Sequence, residues 1–158
     1  MRAYLNITLL LSLVGLLLMS CDPNRVYEKN VVIDNGIWNK DSVVNFKMEI
    51  TDTLQPYNFY INIRNSTDYR YSNLYLFIDT YFPNETHARD TLEFILADTD
   101  GKWFGKGFGK IKESTVLLRR GVHFPMSGRY RFTMEQAMRT DNLEGIEDVG
   151  MRIEKTEK

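Results

Sequence analysis

The chain has 158 residues, of which 43% are hydrophobic and 13% aromatic, and its formal net charge at pH 7 is −1. Its 20 basic and 21 acidic residues nearly balance, whereas nucleic-acid-binding proteins carry a concentrated basic excess, so we expect no nucleic-acid partner. The single cysteine and two histidines offer little material for disulfides, a zinc site or histidine-dependent catalysis.

The first predicted element is an apolar run from Leu9 to Met19 that ends just before the only cysteine, Cys21. A transmembrane helix needs roughly 20 apolar residues and a signal-peptide core about 7–15, so the run fits the second class. Arg2 supplies a minimal positive region, and residues 18–21 read LMSC, the Leu-x-small-Cys pattern of bacterial lipoprotein signals. We predict a cleaved signal peptide over 1–20 and acylation of Cys21, which binds membrane lipid. An uncleaved anchor and an ordinary cleaved signal are the alternatives.

The mature chain is expected to form one domain behind a very short tether. Residues 21–25 form the lipidated tether and residues 26–158 have the usual size of a single domain with its own core. At about 3.3–3.6 Å per extended residue, the domain stands only some 15–20 Å from the lipid surface. The tether lacks an acidic run after the cysteine, which favours a periplasm-facing protein over a surface-displayed one.

Alternation of apolar and polar residues with a period of two dominates the rest of the chain and predicts β-strands with one buried face. The pattern covers 44–50, 57–64 and 72–82, with shorter candidates at 31–34, 91–97, 115–119, 129–134 and 148–154. Residues 65–68 read as a turn, and only 134–139 look helical, for one or two turns. About eight short strands without long helices predict an all-β protein, an antiparallel β-sandwich that is immunoglobulin-like or jelly-roll-like.

One predicted strand carries aromatic residues on the face opposite its aliphatic one. In the segment 72–82, Tyr75, Phe77, Asp79 and Tyr81 share one face, so this strand is central in its sheet or carries a contact surface. These residues, with Trp103, form the candidate interaction face, because exposed aromatic residues on a sandwich stack on sugar rings or bind proteins. Ordinary packing in the core and in hairpins is the alternative.

The glycine-rich piece GKWFGKGFGK at 101–110 has neither the spacing of a P-loop nor that of a dinucleotide-binding loop. We therefore expect no nucleotide partner and no cofactor, and interpret the piece as a bent hairpin or bulge. His87 and His123 are far apart and have no neighbouring ligand at metal-binding spacing, so we expect surface or hydrogen-bonded histidines and no metal.

Three short Asp-Ser/Thr-apolar triplets occur in the predicted mature chain. They place Ser42, Thr53 and Thr91 in a short motif on which some bacteria O-glycosylate exported proteins. These three hydroxyl groups are candidate modification sites.

Segments distributed over nearly the whole mature chain resemble one family. They are YSNLYLFIDTYFP (71–83), DTLEFILADTDGKWFGKGFGKI (90–111), GRYRFTMEQAMR (128–139) and LEGIEDVGMRIEK (143–155), behind the lipoprotein signal and VYEKN (26–30). Together they resemble the gliding-motility lipoprotein family GldH of Bacteroidetes. The resemblance implies a lipid-anchored outer-membrane protein that takes part in gliding and is linked to type IX secretion of surface adhesins, with no enzymatic activity and with Cys21 at the lipidation position.

From these observations we expect a non-catalytic accessory or docking component that contacts envelope proteins of the gliding and type IX secretion machinery. The first alternative is a carbohydrate- or cell-wall-binding β-sandwich module. An envelope hydrolase is a further alternative, and it needs two carboxylates brought together from separate strands.

Overall fold

The structure, a computed structural model, describes residues 22–156, which form ten β-strands and one short 3-10 turn, Asp34–Gly36. The strands are β1 (Arg25–Val32), β2 (Ile37–Asn39), β3 (Val44–Ile50), β4 (Tyr57–Ser66), β5 (Asn73–Tyr81), β6 (His87–Ile95), β7 (Ile111–Val122), β8 (Gly128–Gln136), β9 (Asn142–Glu144) and β10 (Ile146–Lys155). Across these residues, none of the helical structure is long and apolar enough to cross a membrane.

The strands form two four-stranded antiparallel sheets and a small ribbon. The first sheet has the order β1-β10-β4-β7, the second sheet has the order β3-β8-β5-β6, and the ribbon pairs β2 with β9. When β2 and β9 are left out, eight long strands remain. Counted along the chain, the first, eighth, third and sixth of them lie side by side in the first sheet, and the second, seventh, fourth and fifth lie side by side in the second sheet. This is the strand order of a jelly roll. The predicted all-β antiparallel sandwich is confirmed, and of its two variants the jelly roll is the one observed.

The core lies between the two sheets and follows the alternation in the sequence. In β3 every second residue from Val44 to Ile50 is buried and the residues between them are exposed. At the end of the sandwich that carries the ribbon, the fully buried Trp38 donates an indole hydrogen bond of 2.9 Å to the carbonyl oxygen of Ser42. Each large apolar side chain buried in this way contributes about 1.5–3 kcal/mol, so packing is the main interaction that holds the two sheets together.

The helix predicted over 134–139 is wrong. Met134 and Gln136 belong to β8, where Met134 pairs with Val44 on one side and Ile78 on the other. Beyond the strand, the Gln136 side chain accepts a hydrogen bond from the amide of Met138 and donates one to the carbonyl oxygen of Thr140, which holds a turn. Pairing with two neighbouring strands overrides the helix propensity of this segment.

Loops gather at two opposite ends of the sandwich. The tether end contains residues 22–24, 51–56, 82–86 and 123–127, because β1, β4 and β8 begin there and β3, β5 and β7 end there. The far end contains residues 33–43, 67–72, 96–110 and 137–145. The described chain therefore enters at one end and presents its glycine-rich segment at the other.

Candidate functional site

The outer face of the second sheet carries four of the five residues that the sequence predicts as an interaction face. Tyr75, Phe77, Asp79 and Tyr81 alternate along β5 with core residues, so their side chains point away from the core. Tyr75 is exposed, and Phe77 and Tyr81 are partly exposed. Asp79, however, is only 2% exposed, so it does not form part of the accessible surface.

Asp79 is buried because an arginine from the next strand covers it. Arg89 donates hydrogen bonds of 2.8 Å from Nε to Oδ1 and 2.7 Å from Nη2 to Oδ2, and the hydroxyl group of Thr133 donates a third. Hydrogen bonding from Arg89 is the main cause that holds the pKa of Asp79 below its usual value. Arg89 also contacts Glu135 at 2.9 Å, so one guanidinium joins β5, β6 and β8.

Arginine side chains also cover the aromatic residues of this face. The guanidinium carbon of Arg89 lies 5.1 Å from the ring centre of Phe77, and that of Arg131 lies 3.6 Å from the ring centre of Tyr81. On its other side, Tyr81 stacks on His87 with ring centres 5.4 Å apart. Cations over aromatic rings fix the orientation of both groups. The surface is therefore a preorganised array of planar side chains.

Tyr75 is the most accessible aromatic residue of the array. It lies toward the far end of β5, opposite Glu93 of β6. A hydrogen bond to the Glu93 carboxylate is the main cause that raises the pKa of the Tyr75 phenol. Glu93 also accepts a hydrogen bond of 2.6 Å from Asn73, so the carboxylate beside Tyr75 is held by a second side chain.

Trp103, the fifth predicted residue, is not on this face. It lies at the far end, half-buried against the core, with its ring centre 6.4 Å from that of Tyr69. The accessible aromatic residues of the glycine-rich segment are instead Phe104 and Phe108, which are 59% and 102% exposed. The sequence carries a signal for Phe108, because it stands between two glycines, and glycine is favoured where a turn needs a positive φ. In the structure these glycines have φ angles of 141° and 64°.

The outer face of the first sheet is a polar network that the sequence analysis did not predict. Asn62, only 3% exposed, donates to the side chains of Glu28 and Asn30, and it accepts a hydrogen bond of 3.0 Å from Thr115. Asn30 reaches Asn62 across Gly150, where an added Cβ atom would collide with the Asn30 amide oxygen. The absence of a side chain at residue 150 is thus what lets the network form.

A second buried aspartate, Asp148, lies on the outer face of the first sheet. Arg64 donates one hydrogen bond of 2.7 Å to its Oδ2, whereas its Oδ1 has no hydrogen-bond partner within residues 22–156. Burial is the main cause that raises the pKa of Asp148, and the nearby carboxylates of Glu113 and Glu147 raise it further. A buried aspartate with a single donor and carboxylates nearby is costly to ionise.

The predicted modification sites lie in different surroundings. Ser42 is exposed in the turn before β3, Thr53 is partly exposed in the loop at the tether end, and Thr91 is exposed on β6. All three hydroxyl groups stay predicted O-glycosylation sites. The predicted lipidation site, Cys21, lies outside the described residues.

The two histidines make separate contacts in the described fold. His87 stacks on Tyr81, and the Nδ1 atom of His123 lies 3.4 Å from the carbonyl oxygen of Thr53. No group of three or more His, Cys, Asp or Glu side chains that would hold a metal occurs in the part of the chain from residue 22 to 156.

Comparison with known proteins identifies the family. The GldH lipoprotein family matches residues 25–153. A gliding motility lipoprotein GldH homolog of Christiangramia forsetii is 44% identical over 149 residues, covering 90% of this chain and 91% of the relative. The gliding motility lipoprotein GldH of Flavobacterium johnsoniae is 38% identical over 152 residues, covering 92% and 94%.

Solved structures match much more weakly. A family GH115 4-O-methyl-alpha-glucuronidase with specificity for decorated arabinogalactans superposes with a TM-score of 0.44 at 8% identity, over 88% of this chain and 19% of the enzyme. A family 35 carbohydrate binding module from Clostridium thermocellum gives 0.32 at 9% identity, over 78% and 97%. The sequence matches, which extend over nearly the whole chain, show that it belongs to the GldH lipoprotein family of lipid-anchored cell-envelope proteins with a role in gliding motility.

Proposed function

We propose that this protein is a non-catalytic accessory component that docks onto envelope proteins of the gliding machinery and thereby supports type IX secretion of surface proteins. Membership of the GldH lipoprotein family supports the link to gliding. The docking role is supported by the arginine-covered aromatic array on the second sheet, in which Tyr75 is exposed and Tyr81 is held between two planar side chains. Aromatic and arginine side chains are enriched where proteins bind one another tightly.

We also propose that acylated Cys21 anchors the protein in the outer membrane and that the domain faces the periplasm. The LMSC motif supports the anchor, and the first strand already begins at Arg25, so only three residues separate Cys21 from the sheet. A span of that length reaches roughly 15 Å at most. Under this proposal the domain works against the membrane surface, with its far end directed away from the lipid.

The docking role is tested by a double variant of the array. Tyr75→Ala combined with Tyr81→Ala removes two rings without changing a core residue, so the fold is retained. We expect capture of envelope partners from native membranes, by the full-length protein, to fall about tenfold or more. Tyr60→Ala is the matched control, because Tyr60 lies on the opposite outer face under Arg152, whose guanidinium carbon is 5.0 Å from the ring centre. Equal capture by both variants would reject this face.

The link to secretion is tested by quantitative mass spectrometry of secreted and surface proteins in the native host. Cells with the wild-type protein, a deletion and Cys21→Ala are compared. Selective loss of type IX cargo in both mutants is the expected result. An unchanged cargo profile would reject the accessory role in secretion.

The second candidate function is binding of a glycan by the outer face of the first sheet. The observation that favours it is the polar network around Asn62, since amide and carboxylate side chains in a fixed array suit sugar hydroxyl groups. Binding of cell-wall or capsular polysaccharide to wild-type protein, abolished by Asn62→Leu and retained in the Tyr75/Tyr81 double variant, would establish this candidate in place of the first.

A further inference from the structure

An apolar cleft of about 210 Å³ opens between the two sheets, on the side where the edge strands β6 and β7 face each other. Its walls belong to strands of both sheets. The lining includes Phe59, Ile78, Leu92, Leu118, Phe132 and Met151. The cleft thus leads from the surface to the side chains of the core.

The cleft exists because the inward positions of β6 near the tether end carry small or charged residues. Thr80 of β5 pairs with Ala88 of β6, and the next inward residue of β6 is Asp90. On the opposite side of the sandwich, Tyr27 and Val31 of β1 pack against the core. A protein interior is normally filled to the density of an organic crystal, so an open apolar volume beside small residues is suited to a ligand.

Charged side chains stand at the mouth of the cleft. Arg119 of β7 lies 3.4 Å from Asp90 of β6, so this ion pair bridges the two sheet edges. Arg119 itself lines the cleft and its side chain is 56% exposed, so its guanidinium is accessible to an anionic group at the mouth. Inward-pointing charges on edge strands prevent the addition of another strand. The mouth is therefore suited to a small ligand with an anionic group and unsuited to an extended peptide.

The position of the cleft indicates where its ligand comes from. Phe82, Phe124 and Tyr130, which line its inner part, lie at or next to the tether end, where residues 22–24 enter the fold. If the chain is anchored just before residue 22, the most abundant apolar material beside this end is the acyl chains of lipids. This step rests on the anchoring part of the proposed function.

We propose that the cleft binds a linear acyl chain, with its hydrocarbon between the sheets and its anionic group at Arg119. A cavity of about 150 Å³ lined by apolar side chains accommodates benzene, so the present volume accommodates roughly eight carbons. The anionic group replaces Asp90 as the partner of Arg119. The same chemistry is available from a free fatty acid and from a membrane phospholipid.

Photo-crosslinking tests the proposal on the full-length acylated protein, purified from the native envelope and reconstituted in nanodiscs. The probe is octanoate with a terminal diazirine, and a parallel arm carries the diazirine at the end of an acyl chain of the nanodisc phospholipid. We expect labelling on cleft residues from at least one source, and the labelled arm identifies that source. Competition by hexanoate, octanoate and dodecanoate should strengthen about fourfold per methylene up to roughly eight carbons and then level off.

Two pairs of variants separate the cleft from its surroundings. Ala88→Leu fills the mouth and should reduce labelling at least about tenfold, whereas Ala137→Leu, at the far end, should leave it unchanged. Arg119→Gln should weaken competition by octanoate about tenfold and leave competition by octanol nearly unchanged. Arg120→Gln should leave competition by both compounds nearly unchanged. Circular dichroism of each variant verifies that it is folded.

Labelling absent from both arms, or spread over the surface and insensitive to Ala88→Leu, overturns the proposal. So does crosslinking of a partner protein from a photoreactive residue at position 92, because the occupant is then a protein segment. The outcome is independent of the secretion test: cleft labelling with unchanged cargo rejects the secretion role alone, and cargo loss without labelling rejects the acyl site alone.

Discussion

The two outer faces of the sandwich each bury one aspartate against one arginine, yet the two pKa values move in opposite directions. Asp79 on the second sheet and Asp148 on the first are 2% and 3% exposed. Their arginine partners, Arg89 and Arg64, are both nearly half exposed. The pKa of Asp79 is lowered, mainly by hydrogen bonding from Arg89, and that of Asp148 is raised, mainly by burial.

The difference lies in how many donors each carboxylate receives and in the charges around it. Asp79 accepts two hydrogen bonds from Arg89 and one from Thr133, whereas Asp148 accepts a single bond from Arg64 and has carboxylates nearby. Hydrogen bonds to the charged form oppose the cost of desolvation, and one bond does not offset it here. A buried Asp–Arg pair is therefore a firm connection on the second sheet and a weak one on the first.

The largest expected effect comes from removing the arginines. Arg89→Met leaves a buried carboxylate with one donor and should lower the free energy of unfolding by about 2–3 kcal/mol, reduced from the value for a fully buried pair because Arg89 is half exposed. Arg64→Met should cost about 1 kcal/mol, since Asp148 already favours its protonated form. Urea denaturation at pH 7 measures both. Equal losses of stability, or a larger loss for Arg64→Met, would contradict the comparison.

A smaller effect is the pH dependence of stability, which should have opposite signs for the two aspartates. The lowered pKa of Asp79 makes its contribution to stability present above about pH 4, the unfolded value, and lost as the pH falls through the lower folded value. Because the pKa of Asp148 is raised, the folded state binds more protons than the unfolded state. The contribution of Asp148 to stability is therefore present below about pH 4 and is lost as the pH rises through the raised folded value.

Unfolding titrations of wild type, Asp79→Asn and Asp148→Asn check this prediction. The stability difference between wild type and Asp79→Asn should grow with rising pH below about 4. The difference between wild type and Asp148→Asn should shrink with rising pH above about 4. Parallel curves would show that neither carboxylate has a shifted pKa.

Removing the third donor to Asp79 should have a smaller effect again. Thr133→Val keeps the shape of a side chain that is 3% exposed but deletes its hydroxyl group. We expect a loss of about 1 kcal/mol and an upward movement of the Asp79 pKa. Denaturation and carboxylate NMR titration measure the two effects, with Thr115→Val on the first sheet as a control that leaves Asp79 unchanged.

The smallest expected effect concerns the neighbours of Asp148. Glu113→Gln removes a carboxylate that raises the pKa of Asp148, so this pKa should fall and stability at pH 7 should rise by a few tenths of a kcal/mol. Glu144→Gln, an exposed residue of β9, is the control. A fall in stability would show that Glu113 supports the sheet in another way.

The sequence predicts the strands better than the contacts on their outer faces. Strand β3 runs from Val44 to Ile50 as its alternation predicts, and the two faces of β5 are as predicted. The pairs that decide the outer faces depend on register between strands: Asp79 lies opposite Arg89 only because the β5–β6 turn falls at 82–86. A pattern within one strand carries no information about the residue beside it in the next.

Local patterns also fail where distant segments cooperate. The ribbon of β2 and β9 joins residues about a hundred positions apart and is too short to show alternation. Residue type alone groups Trp103 with the β5 aromatic residues, whereas the fold places it at the far end against Tyr69. The cleft beside Ala88 was equally invisible, because it arises from a small residue opposite another small residue in a different strand.

Residues 22–156 begin and end at the same end of the sandwich, which matters for anyone who labels this protein. The amide of Lys155 donates a hydrogen bond of 2.8 Å to the carbonyl oxygen of Asn24, and that of Thr156 donates one to Pro56, so the last strand finishes beside the tether. A fluorescent protein fused to the C-terminus consequently lies close to residues 22–24, and under the proposed anchoring at Cys21 it competes for space with the lipid surface. An epitope inserted at the exposed Phe108 tip projects from the opposite end of the sandwich, away from residues 22–24.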